Sequence, residues 1–324
     1  VTVFIIRKLL ESAAVVWVMS ALVFVGVFAI GNPVDILISP QADQAEIARA
    51  THALGLDRPL WEQYFVFLAN ALHGDLGNSF VFNVPALRLI AERLPATLEL
   101  AISALVLAVA IGLPLGLLAG LKPESFAGRA IAALSILGFS LPTFWVGIML
   151  ITVFAVDLGW LPSGGRGATV HVLGIDLSVL TADGLAHLAL PAINLALAPM
   201  ALVTRLAASG TREVVHMDFI TFARAKGLSP PRIVFVHVLK NILIPLVTVL
   251  GLEIGTLIAF SVVTETIFAW PGIGRLMISS ITVLDRPVIV AYLMLTVFLV
   301  IMINLAVDLI YALIDPRVHH EALS

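Results

Sequence analysis

The sequence predicts an all-α, polytopic membrane protein with six transmembrane helices and a small external helical segment. Three observations carry that prediction. Hydrophobic residues make up 60% of the 324-residue chain and charged residues only 12%, with a mean hydropathy of +1.08. Soluble domains are about half apolar and about a quarter charged, so this chain belongs in a bilayer. The apolar residues collect into six runs, each near the roughly 20 residues that cross a hydrocarbon core. Lys and Arg fall unevenly on alternate connecting loops, as the positive-inside rule requires.

The formal net charge of -3 gives nucleic acid no electrostatic footprint. With no cysteine, disulfides, thiolate metal sites and a cysteine nucleophile are excluded. The spans are expected at about 9–31, 96–119, 130–156, 188–207, 242–264 and 288–314. The first follows Arg7-Lys8 and is too long for the apolar core of a signal peptide; Gly31-Asn-Pro33 supplies no small-x-small cleavage pattern. It reads as an uncleaved anchor. With the N-terminus inside, the inner loops hold Arg7, Lys8, Lys122, Arg129, Arg205, Arg212, Arg224, Lys226, Arg232, Lys240 and Arg317. Both termini are therefore expected in the cytoplasm.

The expected organisation is 1–31, N-terminus and first span; 32–95, an extracytoplasmic helical segment; 96–314, a five-helix core with a cytoplasmic loop at 208–241; and 315–324, a cytoplasmic tail. Within the external segment, Gln41-Ala-Asp-Gln-Ala-Glu-Ile-Ala-Arg49 favours helix and breaks at Gly55-Leu-Asp-Arg-Pro59. A second amphipathic piece, Leu60 to Asn70, stops at Gly74 and Gly77, and helical spacing resumes after Pro85. Trp61 and Tyr64 suit a lipid interface. This segment is either a structural cap or a docking surface in which Trp61 takes part.

The second span carries Gly112, Pro114, Gly116 and Gly120, and the third Gly138, Pro142 and Gly147. Small residues let helices approach closely, and proline loosens a turn. Tight packing is the simpler reading; kinks near Pro114 and Pro142 in helices lining a path are the alternative. The 157–187 loop is Gly-rich and nearly uncharged. The 265–287 loop sets Trp270-Pro271-Gly272 before Arg275, which reads as a re-entrant plug at an external gate or as an interfacial belt of Phe268 and Trp270.

Ionisable groups within spans are costly and usually face a bundle interior. Glu253, Ser261, Glu265, Asn304 and Asp308 are the candidate translocation-path residues, while Glu99 lies close to the membrane edge and reads as interfacial. Glu265 is also placed to meet a cationic substrate group. The sequence shows no phosphate loop, HExxH, GxSxG or metal-ligand spacing, and His319-His320 reads as solvated. The chain is therefore expected to be no enzyme, to hold no metal and no cofactor of its own, and to depend on a borrowed motor if it pumps.

The most informative stretch is the polar interruption from Asp218 to Asn241, which carries Arg224, Lys226, Arg232 and Lys240 between apolar segments. Gly227 can end one short helix in a left-handed cap, and Ser229-Pro230 can cap and open the next. Phe219, Phe222, Ala223 and Lys226 fall at i, i+3, i+4, i+7 spacing. This is a helix-elbow-helix at the membrane surface, with aromatics and cations offered to a partner.

At that elbow the sequence resembles the membrane subunits of ABC importers, whose cytoplasmic signature inserts into a groove on an ATPase. Aligned on Gly227, the general signature keeps Ala223 and Leu239 but has Thr221 for its Glu, Phe222 for an Ala, His237 for its Ile and Lys240 for its Pro. The dipeptide/oligopeptide/nickel branch is closer: Ala223-Arg-Ala-Lys-Gly-Leu-Ser229, then His237, Leu239, Asn241 and Pro245. Leu54 to Leu60 with Gly74-Asp-Leu-Gly77, Glu92 to Leu100, Thr264 to Arg275, and Asp308 with Asp315-Pro316-Arg317 resemble the same branch, in the subunit type with a long external segment. The resemblance implies an ABC type I importer permease fold in the bacterial or archaeal inner membrane. It also implies a homologous second permease subunit, two ATPase subunits that hold ATP and Mg, and an extracytoplasmic solute-binding protein, with lipid around the spans. Phe219, Phe222, Ala223, Arg224, Lys226, Gly227, Ser229, Arg232 and His237 would couple to the ATPase, and Trp61, Trp270, Pro271 and Arg275 would serve the external gate or binding-protein docking.

The function expected is import of dipeptides or oligopeptides. The same complex type carrying nickel chelates or another small solute is the alternative. A different class, a secondary transporter relaying protons through Glu253 and Asp308, is disfavoured because no inverted repeat or matched pair of broken helices is visible.

Overall fold

The computed structural model describes residues 2–29, 43–53 and 56–314. Apart from one short hairpin, the regular structure among these is helical, and the chain forms two compact units, 1–95 with 271–324 and 96–270. The expected tail at 315–324 lies outside the described residues, as does Gly31-Asn-Pro33.

The first unit holds α1 (Thr2–Ala29), α2 (Gln44–Ala53), α3 (Leu60–Leu72), the opening turns of α4 (Ala86–Leu121), α11 (Ile273–Thr282) and α12 (Arg286–Ile314). The first and last spans pack along one another. On α3, Tyr64 Oη lies 2.8 Å from Ser20 Oγ, and its ring meets Phe24 edge-on at 5.4 Å between centroids. Flanking Tyr64 on α3, Trp61 and Phe65 are left exposed.

The last span starts at a polar knot. Asp285 accepts a 2.5 Å hydrogen bond from Ser79 Oγ and a 3.0 Å bond from Phe80 N. A Cβ on Gly77, which has φ +86°, would touch the Pro287 ring at 3.4 Å. Gly74-Asp-Leu-Gly77 and Asp285-Arg-Pro287, far apart in sequence, are thus two halves of one fastening.

The second unit holds the remainder of α4, α5 (Phe126–Ser140), α6 (Thr143–Leu150), α7 (Ala182–Val215), α8 (Asp218–Ala225), α9 (Pro230–Arg232) and α10 (Leu239–Ile267). Among the described residues, five helices are long and apolar enough to cross a membrane. The expected third span, 130–156, is instead a broken pair: α5 and the helix from Thr143 to Asp157 meet at 104°. Pro142 is the cause, because it occupies the N-cap of α6 in an extended conformation and forces Leu141 out of the helix. Counting the bent pair as one span restores six. Pro114, by contrast, sits inside the unbroken α4. Beyond α6, residues Ile151–Asp157 continue as a π-helical segment.

The 157–187 loop contains a hairpin unread in the sequence, β1 (Val170–Val172) antiparallel to β2 (Ile175–Leu177), with Val170 opposite Leu177. Leu173 and Gly174 turn it at φ +51° and +86°, the paired positive values of a type I′ turn.

Helices α4 and α7 approach through Gly112, Gly116 and Gly120, four residues apart on one face of α4. A Cβ on Gly116 would meet Ala207 Cβ at 2.5 Å and the Thr204 carbonyl at 2.6 Å, and one on Gly120 would meet Thr211 Cβ at 2.5 Å. These separations are shorter than any side-chain contact, so the glycines set the interhelical distance. Gly138 differs, its nearest neighbours being 3.9 Å away. Gly116→Ala is expected to destabilise the solubilised chain by about 1–3 kcal/mol through overpacking, while Gly138→Ala leaves it unchanged or slightly stabilised. Melting of both variants in mild detergent checks the contrast.

Candidate functional site

Two sites lie along the second-unit part of α4, about 27 Å apart over the 18 residues from Glu99 to Leu117 at 1.5 Å rise.

At one end is the elbow. Lys226 caps the C-terminus of α8, after which Gly227 takes φ +76° with open space around it; its amide donates to the Arg224 carbonyl, and that of Leu228 to Ala223. Ser229 sits at the next N-cap with extended backbone and Pro230 follows at the first helical position. The hydroxyl of Ser229, expected to cap, makes no cap bond. The chain continues as a second π-helical segment, Ile233–Val238, before α10.

One face of the elbow is anchored. Ile220, Ala223, Ile233 and Val238 bury against Leu117 of α4, Ala207 and Val214 of α7, and Ile242 of α10. The other face is open: Phe219 is 40% and Phe222 62% exposed, and Lys226 Nζ lies 4.5 Å from the centre of the Phe222 ring. Phe219, Phe222, Arg224, Lys226, Ser229 and Arg232 are thus presented outward together, whereas Ala223, expected on the same face as Phe222, turns inward. His237 is half-buried within the π-helical segment, and its carbonyl accepts from Asn241 Nδ2 at 2.7 Å. Phe235, on the π-helical segment, is likewise exposed, at 65%.

Further along α4, more than three turns from its start, Glu99 is far from a casual interfacial residue. Its side chain is 3% exposed; Oε2 accepts from Arg166 Nη2 at 2.6 Å and Nε at 3.1 Å. Oε1 accepts from the amides of Ser178 at 2.6 Å and Val179 at 2.9 Å. Arg166 also donates to the Asp176 carbonyl and stands 5.8 Å from the Trp270 ring centre. Asp183 takes the Ala168 amide at 2.7 Å. The few charges of the 157–187 loop thus hold it onto α4 and α7.

Trp270 and Phe268 are fully buried, which rules out an exposed interfacial belt. The indole donates to the Ala96 carbonyl at 2.9 Å, and the Phe268 carbonyl accepts from Gly165 N at 2.8 Å. Glu265 is 0% exposed and accepts from Thr97 Oγ1 at 2.6 Å and Ser261 Oγ at 3.0 Å. Beside it Asn194 Nδ2 donates to Thr264 Oγ1 at 2.9 Å. In this conformation Glu265 and Ser261 belong to a closed hydrogen-bonded cluster that joins α4, α7 and α10. Glu253 is half-buried on α10, apart from that cluster in sequence by about two turns or more.

The remaining candidates lie in the first unit. Trp61 and Arg275 are exposed, Pro271 and Asn304 half-buried. The side chain of Asp308 lies outside the described residues.

A family profile described as the inner membrane component of binding-protein-dependent transport systems matches residues 112–320, and its N-terminal companion matches 1–101. The chain belongs to this family. Among curated relatives, the di/tripeptide transport system permease protein DppB of Pseudomonas aeruginosa is 40% identical over 304 residues, covering 90% of each chain. The dipeptide permease protein DppB of Escherichia coli is 38% identical over 90% of this chain and 91% of its own. The oligopeptide permease protein AppB of Bacillus subtilis is 39% identical over 98% of this chain and 99% of its own. A solved inward-facing form of the MetNI methionine ABC transporter superposes with a TM-score of 0.52 at 20% identity, over 70% of this chain and 96% of that one. The fold is that of an ABC importer permease, a multi-pass inner-membrane subunit of a kind that works with ATPase and solute-binding partners.

Breaking the Glu99–Arg166 pair strands a buried charge, so Arg166→Met is expected to cost about 3–5 kcal/mol. Glu99→Gln, which keeps an acceptor for the Ser178 and Val179 amides, should be milder than Glu99→Leu. Melting temperature and amide-exchange protection across 158–181 measure the order.

Proposed function

We propose that this chain is the permease subunit of an ATP-driven importer of short peptides, passing dipeptides or oligopeptides from an extracytoplasmic binding protein across the inner membrane. It acts beside a homologous second permease subunit and two ATPase subunits. ATP and Mg are held by those ATPase subunits; this chain binds no cofactor and catalyses no reaction of its own. Both termini and the elbow lie in the cytoplasm, on the side favoured by the distribution of Lys and Arg.

The observation that carries the reading is the two-faced elbow. Its inner face is locked into the ends of α4, α7 and α10, while its outer face offers Phe222 and Lys226 to solvent. An element so built moves three long helices when a partner moves it, which is what transmission of ATPase closure requires. The cargo class is supported by relatives named for di/tripeptide, dipeptide and oligopeptide transport. Another relative is named for glutathione, itself a tripeptide.

The test is ATPase activity of the reconstituted complex, with a binding protein loaded in turn with dipeptide, oligopeptide, glutathione or a nickel chelate. Stimulation by peptide is expected, and stimulation by the chelate alone would overturn the cargo assignment. Phe222→Asp places an anion in the docking face, and Gly227→Pro demands φ near -65° where the backbone has +76°. Each is expected to insert normally yet lose stimulation by ~10-fold or more, equivalent to about 1.4 kcal/mol of activation free energy. Unchanged stimulation in both variants would refute the coupling role.

A further inference from the structure

We infer that the cleft between α4, α5 and α7 is a binding site for the phosphate headgroup of an anionic membrane lipid. The cleft has a volume of about 220 Å³; Ile131, Ala132 and Ile136 form its apolar side, and Ser135, Thr204 and Ser209 line it together with Arg205 and Arg212. Small-molecule sites span roughly 300–1,000 Å³, so this one suits the end of a larger amphiphile better than a whole solute. All its walls lie within the second unit.

Its chemistry points the same way. Among the described residues neither Arg205 nor Arg212 has a carboxylate within ion-pair distance; Arg205 instead stacks 4.8 Å from the Phe139 ring centre. Arg129, by contrast, is paired with Glu124 at 3.3 Å. The two cleft guanidiniums are seven residues apart on α7, hence on one face and about 10 Å apart along the axis. Guanidinium forks match phosphate oxygens in geometry as well as charge.

The position along the helix supplies the last argument. Between Asp183 and Arg205, α7 has 21 residues without Asp, Glu, Lys or Arg. At 1.5 Å per residue that is about 30 Å, the thickness of the hydrocarbon core. Arg205 therefore stands at the hydrocarbon edge, and Arg212 two turns beyond it, bracketing the layer in which lipid phosphates lie. Apolar Ile131 and Ile136 continue the cleft towards the acyl region. Basic pockets between spans at this depth hold anionic headgroups. The same phosphate chemistry exists in soluble anions, but a soluble anion gains nothing from the apolar wall.

The test is native mass spectrometry of the full-length chain in detergent, titrated with phosphatidylglycerol, phosphatidylcholine or soluble glycerol phosphate. One phosphatidylglycerol per chain is expected to be retained in preference to phosphatidylcholine. The double substitution Arg205→Gln/Arg212→Gln should weaken it about 30-fold, and Arg129→Gln should not. Ala132→Phe fills the cleft without altering charge and should also release the lipid, so the inference does not rest on the arginine variants alone. Equal retention by wild type, the double variant and Ala132→Phe would overturn it, as would equal binding of phosphatidylcholine. Glycerol phosphate competing as well as the lipid would reassign the cleft to a soluble anion. Displacement of the lipid by stoichiometric dipeptide would reassign it to a solute subsite.

Discussion

The close approach of α4 to α7, set by Gly112, Gly116 and Gly120, is the constraint on which the central unit depends. In lipid, apolar side chains gain nothing by leaving one apolar neighbour for another, so packing and buried polar bonds must hold spans together. With backbones this near, Ala96, Thr97 and Glu99 at one end of α4 reach Trp270, Glu265 and Arg166, while Leu117 at the other end enters the elbow cluster. One rigid helix therefore belongs to both functional regions. A displacement of the elbow is felt by the hydrogen-bonded cluster without any need for a chain of soft contacts.

The two ends are stabilised by different physics. The Glu99 end relies on charge: four donors converge on one carboxylate, and the hairpin loop is held by Arg166 and by the amides of Ser178 and Val179. Such an arrangement is directional and intolerant of partial loss. The elbow end relies on apolar burial of Ile220, Ile233, Val238 and Ile242, which is non-directional and leaves the exposed side chains free to vary. Rigidity at the one and adaptability at the other thus coexist along a single helix.

Much of this was legible in the sequence, because hydropathy and turn chemistry are local. The spans, the left-handed Gly227, Pro230 opening the next helix and the glycine-spaced face of α4 follow from residues within a few positions of each other. The bent third span is half visible, since Pro142 marks the place while the 104° break depends on how its neighbours pack. What stayed hidden depends on distant partners. Glu99 read as interfacial because Arg166 lies 67 residues away, and Trp270 read as a possible belt because its acceptor, Ala96, is 174 residues away. Ala223 was assigned to the open face because spacing alone cannot tell which side of a short helix meets the bundle. The hairpin at 170–177 has a local signal, Val-His-Val and Ile-Asp-Leu alternating around Leu173-Gly174, weakened by the glycines around it.

The fastening between Ser79 and Asp285 joins residues 206 positions apart. Ribosomes add about 5–20 residues per second, so Asp285 follows Ser79 into existence by roughly 10–40 s. Throughout that interval the Gly74–Pro85 segment waits without its carboxylate partner, and the last span is the piece that closes it. Biogenesis of this unit is accordingly a matter of the chain's end returning to its beginning, and a nascent protein stalled before Asp285 would be left with an open polar turn for quality control to recognise.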